Sequence, residues 1–179
     1  MQERKKILAI CGSTRTESVN LHILQRIAEI YEQEMDISIF TAIDQLPHFN
    51  PDLDTDTPPQ TVIDFRKKIA ASDGILICTP EYVFSLPGSF KNAIEWLVST
   101  TLLTDKPAAL ITASSSGQKA HEALNLVMRT VGVKLTEKSS LLISAPKTKL
   151  TADGQISDDN TREQICELMD SFTQMLFEN

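Results

Sequence analysis

The run K-I-L-A-I-C-G-S-T-R-T-E-S-V-N, Lys6 to Asn20, decides how the rest of the chain is read. Ile7 to Cys11 is apolar at every position, and a strand without polar alternation is one buried on both faces of a parallel sheet. The run breaks at Gly12. A loop dense in hydroxyls follows, with Ser13, Thr14, Thr16 and Ser18 around a single Arg15, before an amphipathic helix opens near Val19. A helix N-terminus presents unpaired N–H groups and a partial positive charge, so it favours a bound anion. Hydroxyls and one guanidinium add the rest of a phosphate cradle. Taken singly, Ser18 reads as a helix cap, Ser13 and Thr14 as turn formers and Arg15 as a solvated charge. Together, at the carboxyl end of a buried strand, they favour a site. Gly12 is the only glycine of the stretch, so neither G-x-G-x-x-G nor G-x-x-x-x-G-K-[ST] can be written across it. That argues against a dinucleotide turn and a P-loop, and a monophosphate held by hydroxyls fits better.

Outward from this stretch the chain alternates. Leu21, Leu24, Ile27, Ala28 and Tyr31 mark one face of a helix running to about Glu34. Asp36 to Phe40 alternates and reads as an outer strand. In the loop beyond, Asp52, Asp54 and Asp56 imitate the start of a calcium loop, but Thr57 stands where glycine is needed and Ile63 where glutamate is needed. A solvated loop is expected there, although Pro47, His48, Phe49 and Pro51 also suit a lid or an interface. Pro58 and Pro59 open a helix striped by Val62, Phe65, Ile69 and Ala70 that ends near Ser72. Gly74 to Cys78 is a third strand, stopping at Thr79. After it comes T-P-E-Y-V-F-S-L-P-G-S-F-K-N-A-I-E-W-L, an apolar, aromatic turn between two prolines leading at Gly88 into a helix with Ala93, Ile94, Trp96 and Leu97. Such a turn suits a flat heteroaromatic ring, although Tyr82, Phe84 and Trp96 also read as ordinary core.

Pro107 to Ala113 supplies a fourth strand, followed by Ser114, Ser115, Ser116 and Gly117 and then a helix with Ala123, Leu124, Val127, Met128 and Val131 on one side. Ser139 to Ile143 is a fifth strand, Ala145 to Gln155 an exposed turn region, and Ile165, Leu168, Met169, Phe172 and Leu176 stripe a closing helix. The alternation predicts an α/β fold, a doubly wound five-stranded parallel sheet with helices on both faces and right-handed crossovers. In the order 2-1-3-4-5 the loops after strands one, three and four converge at the switch point, where ligands of such sheets bind.

At 179 residues a single domain spanning 1–179 is expected. With 17 basic against 24 acidic residues the net charge is −7, which disfavours nucleic acid or an anionic membrane as partner. No long apolar segment could span a bilayer, and M-Q-E-R-K-K leads into a strand rather than a secretory segment, so a cytoplasmic protein is expected. Cys11, Cys78 and Cys166 are widely spaced, and no C-x-x-C or Cys/His cluster exists. They read as thiols in a reducing compartment, with no metal site.

G-S-T-R-T-E-S-V-N (Gly12 to Asn20) together with P-E-Y-V-F-S-L-P-G-S-F-K-N-A-I-E-W-L (Pro80 to Leu97) resembles the NADPH-dependent FMN reductase family. These are flavodoxin-like flavoenzymes that include quinone, azo-dye and chromate reductases. The resemblance runs from the first strand through the fourth loop. It implies FMN, its phosphate held by Ser13, Arg15, Ser18 and Asn20. The backbone of Pro80, Glu81, Tyr82, Val83, Phe84 and Ser85 would lie along the isoalloxazine ring, with Ser114, Ser115 and Gly117 along its other edge. It further implies NADPH or NADH as electron donor, a quinone-like or other small acceptor, and a homodimer or homotetramer with the Gly88 to Ser99 helix near the subunit contact. No general acid or base is assigned, because the flavin carries the chemistry. Glu81 suits pairing across an interface or with a helix end.

Two departures stand out. The usual family turn is P-E-Y-N followed by a small residue, where this chain has Val83 and Phe84; further glycines are usual where Ala120 and His121 stand. Both changes are expected to crowd or dehydrate the ring site, and His121 reads either as a substrate contact or as a solvated histidine. The readings from other classes are a non-enzymatic flavodoxin-like electron carrier and a flavin-binding scaffold. Against the carrier, the loop lacks the T-x-T-G-x-T pattern of flavodoxins.

Overall fold

Bare apolar runs become the middle of a sheet because strands covered on both faces have no solvent side to mark with polar residues. In the computed structural model, which describes residues 4–151 and 154–178, the strands β1 (Lys5–Cys11), β3 (Gly74–Thr79) and β4 (Ala108–Ser114) form that middle. Every residue of β3 is buried. At the edges lie β2 (Met35–Phe40) and β5 (Ser140–Ser144), where Met35 and Ile143 are buried and the other residues are partly covered or exposed. All four pairings are parallel, and the order is β2-β1-β3-β4-β5.

The α-helices divide between the two faces. Helices α1 (Val19–Ile30) and α5 (Asp159–Phe177) cover one face, where Ile23, Leu24, Ile27, Ile165, Met169 and Phe172 meet Ile7, Ala9, Cys78 and Ile111. Helices α2 (Gln60–Ala70), α3 (Gly88–Glu95) and α4 (Gln118–Thr130) cover the other, where Phe65, Phe90, Leu124 and Met128 meet Leu8, Ile10, Ile77 and Leu110. Alternate residues of each central strand thus feed different cores, as the period of two demands.

Helix ends differ modestly from expectation. α1 stops at Ile30 because Tyr31 leaves helical geometry at its C-cap and its carbonyl accepts from Glu34 N in a tight turn. α3 stops at Glu95, and Trp96 to Thr101 continues as turns. The loop between β2 and α2 is fastened down, which the expected solvated loop is not. Phe49 N donates to Asn92 Oδ1 at 2.7 Å, Asn92 Nδ2 to Pro47 O at 3.0 Å, and Trp96 Nε1 to the same carbonyl at 2.8 Å. Asp54 pairs with Arg66 at 2.8 Å. The turn expected from Ala145 to Gln155 contains Ala152 and Asp153, which lie outside the described residues, as do Met1 to Glu3 of the N-terminal run.

Candidate functional site

The chain leaves β1 for β2 on one side and returns to β3 on the other, so the carboxyl ends of β1 and β3 open a crevice between diverging connections. Gly12 stands at its floor. Gly12 N donates to Cys78 O at 2.8 Å, and a Cβ on Gly12 would fall 2.2 Å from Thr79 Oγ1. No larger residue fits. Beyond it Ser13 and Ser18 are buried, each 4% exposed, while Thr14 to Glu17 loop outward. Ser18 is the N-cap residue of α1, in extended geometry, yet its side chain makes no capping bond, and the first turn holds no acidic residue. The N-terminal amides of α1 are therefore left without the acceptor that a cap would give them. Arg15 lines the same space.

Below this loop the polar groups are tied together. Asn20 donates from Nδ2 to Ala113 O at 3.3 Å and accepts at Oδ1 from Cys78 Sγ at 3.3 Å, joining α1 to β4 and β3. Cys11 Sγ donates to Ser13 O at 3.4 Å. Burial pushes both thiols up, Cys78 well above the ordinary range. Both therefore stay protonated and serve as donors.

The turn after β3 is a two-residue hairpin. Tyr82 N donates to Ser85 O at 2.9 Å and Ser85 N to Tyr82 O at 3.0 Å, with Val83 (φ 51°) and Phe84 (φ 57°) both in the left-handed region between them. Glu81 anchors its base. Oε2 of Glu81 accepts from Ala120 N at 2.9 Å, in the first turn of α4, whose N-cap Gly117 (φ 82°) offers no side chain to do so. This is the helix-end pairing expected for Glu81. The loop after β4 is held from below: Ala145 N donates to Ser114 O at 3.0 Å and Ser144 Oγ to Ser116 O at 3.2 Å.

These loops enclose a cleft of about 480 Å³, within the range of ~300–1,000 Å³ usual for small-molecule sites. Of the sequence-predicted residues, Ser13, Arg15, Ser18, Asn20, Pro80, Glu81, Tyr82, Ser114 and Ser115 line it. Val83, Phe84, Ser85 and Gly117 do not. Val83 is 95% exposed and Phe84 77%, because a left-handed pair in a hairpin turns its side chains off the cleft wall. They crowd nothing, contrary to expectation. Nor do Ala120 and His121 narrow the site. Ala120 is buried under the helix, and His121 Nδ1 lies 3.1 Å from Thr112 Oγ1. His121 Nε2 lies 3.4 Å from Ser140 Oγ and from Asn125 Nδ2. It lies outside the cleft lining, half-buried between α4 and the sheet, and burial lowers its pKa against the opposing charge of Glu122. A fourth wall was missed from sequence: Ala145, Pro146, Lys147 and Thr148 close the cleft beside β4.

Comparison with known proteins agrees with this geometry. A family model described as NADPH-dependent FMN reductase matches residues 5–146. An NAD(P)H-dependent FMN reductase of Pseudomonas aeruginosa is 32% identical over 170 residues, covering 92% of this chain and 91% of that protein. A 2-hydroxy-1,4-benzoquinone reductase of a Burkholderia species is 30% identical over 173 residues, covering 93% of each. Among solved structures, the flavoenzyme NAD(P)H:(acceptor) oxidoreductase FerB of Paracoccus denitrificans superposes with a TM-score of 0.79 at 28% identity, over 96% of this chain and 97% of that one.

Proposed function

We propose, from the premise that this chain belongs to the NADPH-dependent FMN reductase family, that it is an FMN-dependent NAD(P)H oxidoreductase acting on quinone-like or other small electron acceptors. The observation that carries this reading is the cradle at the start of α1. Uncapped amides, the buried hydroxyls of Ser13 and Ser18, and Arg15 converge at the start of a helix whose first turn holds no acidic residue. That donor set fits a phosphate monoester, and the remaining cleft between Pro80–Tyr82 and Ser114–Ser115 has room for a flat ring.

FMN, when bound, supplies a two-electron relay, so that NAD(P)H, one proton and a quinone yield NAD(P)⁺ and the hydroquinone. The chain's residues bind and orient. In this reading Ser13, Ser18 and Arg15 hold the phosphate, and Asn20 keeps the loop in place through Ala113 and Cys78 while retaining one amide hydrogen for the ligand. Pro80, Glu81 and Tyr82 flank one edge of the ring. Ser114 and Ser115, whose carbonyls accept from Ala145, flank the other with their amides, so that preorganised donors face charge built up on reduction. No side chain is assigned as acid or base. We read residues 1–179 as one domain that works as a homodimer or homotetramer in the cytoplasm; the free thiols Cys11, Cys78 and Cys166 suit a reducing compartment. Among the described residues no helix is long and apolar enough to cross a membrane.

Fluorescence titration tests the cradle. Arg15→Ala should weaken FMN binding by roughly ten- to a hundredfold, the effect of losing a charge-assisted contact, and leave riboflavin, which has no phosphate, bound as by the unaltered protein. Equal weakening of both flavins would refute the assignment.

A further inference from the structure

The wall after β5 brings a second cation to the cleft. β5 ends at Ser144, and Ala145 enters the left-handed region at φ 49°. The chain then leaves the sheet edge, and Pro146 to Thr148 form one turn of 3-10 helix beside the cleft. That turn is held at its base: Ala145 N donates to Ser114 O at 3.0 Å, Thr148 N to Ala145 O at 3.0 Å and Lys149 N to Pro146 O at 3.1 Å. Beyond it the chain crosses to α1. Leu150 and Ile156 form an isolated bridge and join the core that holds Ile23, with Val19 packed against it. Gly154 comes so near α1 that a Cβ on it would fall 3.3 Å from His22 Cβ. The segment after β5 therefore runs from the loop after β4 to the helix that opens the phosphate cradle, and Lys147 lines the cleft on that path.

We propose that Lys147 is the second cation of the phosphate cradle, supplied from the β5 side, and that it sharpens the choice of a dianionic monoester over an uncharged flavin. The charge balance asks for one. A phosphate monoester carries about −1.5 to −2 near neutral pH. The open N-terminus of α1 offsets about half a charge and Arg15 one, which leaves a dianion short of neutral. Two carboxylates also line the cleft, and each faces another group: Glu81 accepts from Ala120 N at 2.9 Å, and Glu17 lies 3.6 Å from His22 Nε2. The two cations of the lining, Arg15 and Lys147, make no ion pair among the described residues. Lys147 stands one residue past the stretch matched by the family model, residues 5–146. Its side chain is exposed, so solvent tempers what the charge contributes.

The inference rests on the flavin reductase reading and is tested by fluorescence titration of the flavin-free protein with FMN and with riboflavin. Lys147→Gln removes the charge and keeps a long polar side chain. It should weaken FMN roughly three- to tenfold at low salt and leave riboflavin bound as by the unaltered protein. The difference should close at about 1 M salt, where charges are screened within ~3 Å, and Lys147→Arg should restore FMN binding. Equal weakening of both flavins would make Lys147 part of the wall only and overturn the proposal. So would a loss that salt leaves untouched, or FMN binding unchanged in Lys147→Gln while KM for NADPH rises, since the charge would then serve the donor's phosphates. An unaltered protein that does not bind FMN removes the functional reading and this inference with it; FMN binding that depends on Arg15 but not on Lys147 removes the inference alone.

Discussion

Two residues at the end of β1 do different work although both look like loop residues. Gly12 is present for space: a Cβ there meets Thr79 Oγ1 at 2.2 Å. Gly12→Ala should lower stability by about 1–3 kcal/mol, the usual cost of overpacking, as measured by urea unfolding. Ser18 is present for chemistry. Replacing an N-cap serine ordinarily costs about 1 kcal/mol, but Ser18 makes no capping bond. Ser18→Ala should therefore leave the flavin-free protein within about 0.5 kcal/mol of the parent, while FMN binding weakens several-fold. A normal capping loss without a change in FMN affinity would return Ser18 to a purely structural role. Sequence alone could not separate these cases, because the same serine before an apolar stripe serves either purpose.

Elements show where local sequence carries structure and where it does not. The central strands were readable as bare apolar runs, and α5 from its stripe Ile165, Leu168, Met169, Phe172 and Leu176, all buried. The wall formed by Ala145 to Thr148 was not. A-P-K-T signals only a turn, and it reaches the cleft because β5 pairs with β4, a long-range fact. The same holds for Val83 and Phe84, whose orientation follows from backbone dihedrals that their residue types disfavour. Glu81 bridges two elements, and its role at a helix end was legible while its partner α4 was not. Glu81→Ala should remove the acceptor for Ala120 N, costing about 1 kcal/mol and slackening the ring-side loop. Thermal melting and FMN affinity should both fall, whereas a melting change without an affinity change would confine Glu81 to the helix.

Across the whole molecule, one half-buried base links α4 to the sheet. His121 has its pKa lowered, first by burial, with Glu122 opposing. The unfolded chain, near the ordinary value of about 6.5, thus binds its proton more readily than the fold does. The stability tied to neutral His121 is complete above that value and is lost as pH falls from it toward the lower folded pKa. Urea midpoints between about pH 7 and 5 should decline more steeply for the parent than for His121→Asn; parallel curves would show that other groups dominate. On α3, Asn92 holds both Phe49 N and Pro47 O. Asn92→Ala should cost about 1–3 kcal/mol by orphaning Phe49 N, while Pro47 O keeps the Trp96 Nε1 donor, read from the same unfolding curves.

The central claim is that the loops after β1, β3 and β4 build a flavin site that accepts hydride from a nicotinamide. Its most direct measurement is the visible absorption spectrum of the protein with stoichiometric FMN, taken anaerobically before and after NADPH. The account predicts flavin bands that shift on binding and bleach rapidly with NADPH, then return when a quinone is added. A protein that never retains FMN would contradict the cradle built from Ser13 to Asn20. Retained FMN that only a separate reductase can bleach would make the chain an electron carrier.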